Sequence, residues 1–244
     1  MRLYRYMSFQ YLKDTVLGAG FVAQHPSCFD DVFEGVVGVS MNGVRLPVEL
    51  SSSAFDQWYS ILCFNKPAET SSDSEMLMWS LYAEKHEGIR VVIDLPWSHF
   101  SVGQFYFSDH VQYDEKKNEL AVLSGSMSKM LLSGDGFAEP SNIDFLKTLY
   151  FTKSPCWSWE AEYRMVVLNE EVKGWMGNVK GDRYAVEFLK QFVVGVDFGI
   201  RLWQNRSDEV LKLVEEIRDV RPLIEFRRPI LDRDVKSFSF VPIA

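Results

Sequence analysis

The run Trp157-Ser158-Trp159-Glu160-Ala161-Glu162-Tyr163-Arg164 opens into the apolar stretch Met165–Leu168, and it limits the fold more than any other segment of the chain. β-branched and aromatic enrichment, followed by the polar stop at Asn169-Glu170, reads as a buried strand. Strand side chains alternate, so Glu160, Glu162 and Arg164 are expected on one face, with Ala161, Tyr163 and Met165 on the other. Charges at the mouth of a buried strand are costly unless they are paired, solvated or used in chemistry. The fold must therefore supply partners or a cleft there.

With 244 residues, 47% hydrophobic and 14% aromatic, the chain can bury a proper core. A net charge of −8 argues against sequence-independent nucleic-acid binding, since that needs a positive surface, and leaves room for local basic patches. Arg218, Arg221, Arg227 and Arg228 are interleaved with Asp219 and Glu225, which reads as a solvated, ion-paired surface. The opening residues lack the apolar core of a signal peptide, and no apolar run approaches a membrane span, so a soluble cytoplasmic protein with no membrane partner is expected. Cys28, Cys63 and Cys156 are too few and too far apart for a disulfide framework.

The pattern predicts a strand at Leu3–Tyr6, then a helix capped by Ser8 with Phe9, Leu12 and Val16 on one face, stopped by Gly18 and Gly20. Strands follow at Phe21–Gln24, closed by Pro26 and Asp30-Asp31, and at Ile61–Phe64, with a strand or two between residues 35 and 56. Ser72 and Glu75 have capping-box spacing, Gly88 suits a helix end, and Trp79, Tyr82, Ala83 and His86 fall on one helix face. Ile89–Asp94 returns as a strand. Leu120, Leu123, Met127, Met130 and Leu131 form an amphipathic face, and a loop with Gly134, Gly136 and Pro140 separates it from a helix around Ile143, Leu146 and Leu149. Beyond residue 183 the expectations are a helix at Tyr184–Lys190, a strand at Phe192–Val196, a helix at Asp208–Val220 with Val210, Leu211, Val214 and Ile217 inward, and terminal strands. Without repeat or linker, residues 1–244 read as a single α+β domain.

His25, His86, His99 and His110 lack ligand spacing, so no metal is expected. No Gly-x-Ser-x-Gly, P-loop or dinucleotide fingerprint is present. Three segments remain. Arg5, between Tyr4 and Tyr6, suits a phosphate or ribose through forked hydrogen bonds. Trp79, Tyr82 and His86 offer a face for a flat heterocycle. Glu160 and Glu162, beside Trp157, supply carboxylates able to stabilise an oxocarbenium ion and hold a ribose hydroxyl. The structural alternative makes Glu162 an ion-pair partner of Arg5 or Arg164, and the helix aromatics plain core.

In order, Leu3-Tyr4-Arg5-Tyr6, Phe29–Glu34, Leu62-Cys63-Phe64, Met78–Ala83, His86-x-Gly88, then Lys153, Trp157 and Glu160–Arg164 resemble the bacterial and phage-encoded family called domain of unknown function 2971. Leu81 stands where that family often carries histidine, Asn65 where serine is usual, and Asp30 and Val32 where asparagine and proline are commoner. More loosely, the order of an aromatic–arginine strand and a Glu-x-Glu entering a strand is similar to mono-ADP-ribosyltransferases. That resemblance implies a split, mainly antiparallel sheet flanked by helices, and NAD as the substrate. It implies that Arg5 holds the diphosphate or ribose, Ser80 supports the site and Tyr82 stacks on nicotinamide. Glu162 would be the catalytic carboxylate, with Glu160 steering a protein or nucleic-acid acceptor. Ser80 and Tyr82 read as helical here, whereas that family's serine motif lies on a strand. The setting implied is phage defence or toxin action. Two alternatives stand beside it: a non-enzymatic module binding a nucleotide or protein, and a metal-dependent nuclease using Asp30, Asp31 and Glu34 with Glu160 and Glu162.

Overall fold

The computed structural model describes residues 1–25, 28–29, 39–41, 44–46, 59–66, 72–96, 107–114, 121–122, 147, 150–168, 178–179, 183–232 and 237–244. Strand β1 (Arg2–Met7) leads through a 3₁₀ turn, Phe9–Tyr11, and helix α1 (Leu12–Val16) into β2 (Phe21–Ala23). The antiparallel pair β3 (Val39–Met41) and β4 (Val44–Leu46) comes next, followed by β5 (Tyr59–Asn65), α2 (Ser72–Tyr82) and β6 (Ile89–Asp94). Then come β7 (Phe107–His110), β8 (Gln112–Tyr113), β9 (Ala121–Val122) and β10 (Thr152–Lys153). A 3₁₀ segment, Pro155–Glu160, precedes β11 (Glu162–Leu168). The chain closes with β12 (Asn178–Val179), β13 (Arg183–Val186), β14 (Val193–Phe198), α3 (Ile200–Val220), β15 (Glu225–Asp232) and β16 (Ser237–Pro242).

Eight strands form one sheet in the order β16-β15-β14-β6-β1-β5-β11-β7. Every pairing is antiparallel except β14 with β15, which α3 connects. This is a mixed α/β fold built on a large, mainly antiparallel sheet with few helices. Alternation along β1 separates its two faces. Leu3 and Met7 join the main core with Phe9, Leu12 and Val16, and with Leu202, Val210, Val214 and Ile217 of α3. Tyr4 and Tyr6 face Met78, Trp79 and Ala83, with Phe238 and Phe240 packed alongside.

One join in the sheet is weak. β1 pairs with β6 over six registers but meets β5 through a single one, Tyr4 opposite Asn65. Beyond that pair the two strands diverge, and β5 is bridged instead by Gln24, just after β2, at Ile61.

Several local expectations are corrected. Ser8 does sit at the N-cap position of the first turn, but makes no side-chain cap bond there; its hydroxyl donates to Glu84 at 2.8 Å. Glu75, expected in a capping box with Ser72, has its carboxylate accepting from Arg90, a residue buried between Glu75 and Asp197. Helix α2 stops at Tyr82, and Glu84, Lys85 and His86 all take positive φ, so His86 leaves the helix face. Gly88 is required for space: a Cβ there would lie 2.4 Å from the Met7 carbonyl oxygen. Ala121-Val122 is a strand paired with β3, not the start of a helix. The rest of the expected 120–131 helix and the loop at 134–140 lie outside the described residues, as do Pro26, Asp30, Asp31, Glu34 and His99.

Tyr184–Val186 is strand, and only Glu187–Phe192 forms a 3₁₀ turn. Helix α3 begins eight residues earlier than the pattern suggested, and Leu211 is exposed while Leu202 is buried. The C-terminal arginines are tied inward: Arg218 donates to the Ile243 carbonyl, Arg221 to that of Lys190, and Arg227 to Asp197. No helix among the described residues is long and apolar enough to cross a membrane.

Candidate functional site

The divergence of β1 from β5 opens a cavity of about 500 Å³, within the ~300–1,000 Å³ usual for small-ligand sites. It takes lining residues from both faces of the sheet: Arg5 and Thr15 from the α1 side, Met78 and Tyr82 from the α2 side, and Glu160 and Glu162 from the mouth of β11.

The acidic wall follows from a bend. Pro155 starts the 3₁₀ segment, where its missing N–H costs nothing. Ala161 ends it in the left-handed region, φ 44° and ψ 52°, a conformation costing about 1–2 kcal/mol for a residue with a Cβ. The tip of β5 holds this bend: the Asn65 amide donates to the Glu160 carbonyl at 2.7 Å, and the Lys66 N–H to the Ala161 carbonyl at 3.0 Å. The strand therefore starts at Glu162, and Glu160 does not reach the cavity by strand alternation as expected. The bend turns it in beside Glu162.

Lys153 lies between the two carboxylates. Its Nζ is 2.7 Å from Glu160 Oε2 and 3.1 Å from Glu162 Oε2, and 5.1 Å above the Trp157 ring centre. β10 places it there by pairing with β8, with Lys153 opposite Tyr113. The Tyr113 hydroxyl accepts the Glu162 N–H at 2.9 Å, and burial raises its pKa. Arg164 grips Glu162 from its own strand through Nε (2.8 Å) and Nη2 (2.9 Å). Burial alone would raise the Glu162 carboxyl; Arg164 and Lys153 outweigh it and hold the pKa down to about 2. Glu160 goes the other way. Burial raises it, Lys153 opposes the rise, Glu162 adds to it, and the Tyr82 hydroxyl donates to Glu160 Oε1.

Across the gap, Arg5 Nη2 donates to the Val22 carbonyl at 2.9 Å. Its Nη1 is buried without a hydrogen-bond partner among the described residues. Burial lowers the Arg5 pKa, with Cys63 acting against that fall. Arg5 lines the cavity, and a buried guanidinium with hydrogen-bonding capacity left over favours an anionic oxygen beside it.

The structure thus brings Arg5, Tyr82, Trp157, Glu160 and Glu162 to one cavity. Tyr4, Ser80 and His86 are elsewhere. Tyr4 lies under the Arg90 guanidinium, 4.3 Å from its ring centre. Ser80 donates to the Met76 carbonyl and meets His86 Nε2 at 3.1 Å, while the His86 ring stacks against Trp79. Glu162 does have the ion-pair partner foreseen as the structural alternative, and it is Arg164, not Arg5. Lys153 and Tyr113 escaped nomination. The signal for Lys153 was indirect, since two buried carboxylates one residue apart demand a nearby cation. Among the described residues no group of three His, Cys, Asp or Glu side chains could hold a metal ion, and the Glu160/Glu162 pair already binds Lys153.

Fold and site define a mixed α/β protein with a large, mainly antiparallel sheet and a cavity between β1 and β5 that carries charged side chains on its wall. Residues 78–165 match the model of the family described as protein of unknown function (DUF2971), as their sequence resemblance indicated. That segment carries Tyr82, Lys153, Trp157, Glu160, Glu162 and Arg164, while Arg5 precedes it. No curated protein and no solved structure matches the chain.

Proposed function

We propose that the cavity binds a nucleotide bearing phosphate and ribose hydroxyls. On this reading the protein is ADP-ribosyltransferase-like: it cleaves the nicotinamide–ribose bond of NAD and transfers ADP-ribose to a protein or nucleic-acid acceptor, in phage defence or as a toxin. The observation that supports it is Arg5, a buried guanidinium whose Nη1 has no hydrogen-bond partner among the described residues, lining the same cavity as Glu160, Tyr82 and Trp157. Arg5 takes a phosphate oxygen, Trp157 and Tyr82 offer ring faces, and the carboxylate wall faces the ribose.

In the reaction, the C1′–N bond breaks and its electron pair leaves with neutral nicotinamide. A carboxylate stabilises the ribosyl cation until an acceptor oxygen or nitrogen bonds to C1′ and gives its proton to that carboxylate. A binding-only reading is favoured by one observation, the engagement of Glu162 by Arg164 and Lys153, which makes that residue structural.

Nicotinamide release from NAD and NAD binding by calorimetry separate these readings in the wild type, Arg5→Met and Glu160→Gln. Release by the wild type, with ~100-fold less from Glu160→Gln, supports catalysis. Binding without release supports the module. Absence of both in the folded wild type rejects the nucleotide site.

A further inference from the structure

We infer that Lys153 is a positioning residue for Glu160, holding that carboxylate ionised and aimed into the cavity, and that Glu160 rather than Glu162 meets the reacting sugar. This deepens the NAD-cleaving reading and rests on it for the chemistry.

The two carboxylates differ in what they have left to give. An ionised carboxylate accepts about four hydrogen bonds. Glu162 receives two from Arg164, one from Lys153 and one from the Cys63 thiol, which fills it. Glu160 receives one from Tyr82 and one from Lys153, so each of its oxygens keeps a free lone pair beside the cavity. Of the two carboxylates, it is Glu160 that can accept a ribose hydroxyl or an acceptor proton without breaking an ion pair.

Lys153 is the group that makes this arrangement stable. Its side chain is 7% exposed and that of Glu160 3%. Among the described residues, the other ionisable groups near Glu160 include Tyr82 from α2, Tyr113 from β8, Cys63 from β5, and Glu162 and Arg164 from β11, with Arg5 of β1 across the cavity. Of the cations, Lys153 bonds Glu160 directly, while Arg164 is turned to Glu162. Remove the ammonium, and two buried carboxylates share one site; one of them then takes up a proton. Glu162, held by Arg164, keeps its charge, so Glu160 becomes the neutral acid.

The test reads Glu160 itself. With ¹³C-carboxyl-labelled glutamate, and the Glu160 resonance assigned by its loss in Glu160→Gln, NMR follows its titration in the wild type, Lys153→Met and Lys153→Arg. Lys153→Gln replaces the methionine variant if that does not fold. The expected result is an upward displacement of about one pH unit or more without the cation, the size typical of a close opposite charge, and restoration by arginine. The pH profile of nicotinamide release should move by the same amount, with activity returning above the displaced midpoint. An unmoved titration overturns the inference. So does a folded Glu162→Gln that loses turnover while Glu160→Gln keeps it. If no variant or wild type turns over NAD, the NAD reading fails, and the titration still decides the role of Lys153.

Discussion

Arg164 closes on Glu162 from two residues along the same strand, with Nε and Nη2 at 2.8 and 2.9 Å from the two carboxylate oxygens. Arg164 is wholly buried, and Nη1 is spent on the Tyr150 carbonyl. Arg164→Met takes two charged bonds from the buried Glu162 carboxylate, leaving Lys153 to hold it, and should cost about 3–5 kcal/mol. Urea denaturation measures it, and the double variant Glu162→Gln/Arg164→Met should recover a large part of the loss.

Acid stability should bear the marks of both carboxylates, in opposite directions. Glu162 is held at about 2 when folded, below the ~4.3 of an unfolded chain. Its stabilisation is therefore complete above that unfolded value and is lost as pH falls towards 2. The Glu160 carboxyl is raised on folding, so its contribution is present below the unfolded value and erodes as pH rises through the folded one. Denaturation midpoints of Glu160→Gln across pH should keep the acid limb of the wild type and lack the erosion that sets in above the unfolded carboxyl value.

Arg5 makes one carbonyl bond, and its Nη1 has no partner among the described residues. Arg5→Met should leave stability within about 1 kcal/mol of wild type or raise it, since removing an under-bonded buried charge offsets the lost bond. NAD affinity should fall at least ~10-fold, or about 1.4 kcal/mol. A residue needed only for folding would show the reverse pattern, weaker folding with binding intact.

Glu84, Lys85 and His86 form a left-handed turn of three non-glycine residues. Lys85, at φ 55° and exposed, is the one whose side chain has least to lose. Lys85→Gly should stabilise the protein by up to about 1 kcal/mol, because relief of the left-handed strain exceeds the entropy cost of glycine. Thermal unfolding measures it. A loss instead would mean that the lysine stem packs usefully.

The apolar runs carried most of the sheet. Ile89–Asp94 and the core of β5 and β1 were legible because buried strands leave a continuous apolar signal. What misled was local chemistry overruled by distant partners. Glu75 reads as part of a helix start, and nothing local announces that Arg90 of β6 bonds its carboxylate. Tyr184–Val186 reads as helix until its partner β2 is known. Glu160 and Glu162 were legible as costly charges, but the left-handed Ala161 that brings them together leaves no trace in periodicity. Lys153 was invisible as a site residue because its role depends on which strand lies beside β10.

The lone Tyr4–Asn65 rung means that the two halves of the sheet are buttoned at one point where neighbouring strands are laced along their length. A molecule lodged in the opening, bonded to Arg5 on one lip and Glu160 on the other, would act as a rivet across that seam. Occupancy would then register far from the ligand itself, as slower amide exchange along the β5 edge, and any wedge that pries the lips apart would empty the site without touching a single contact residue.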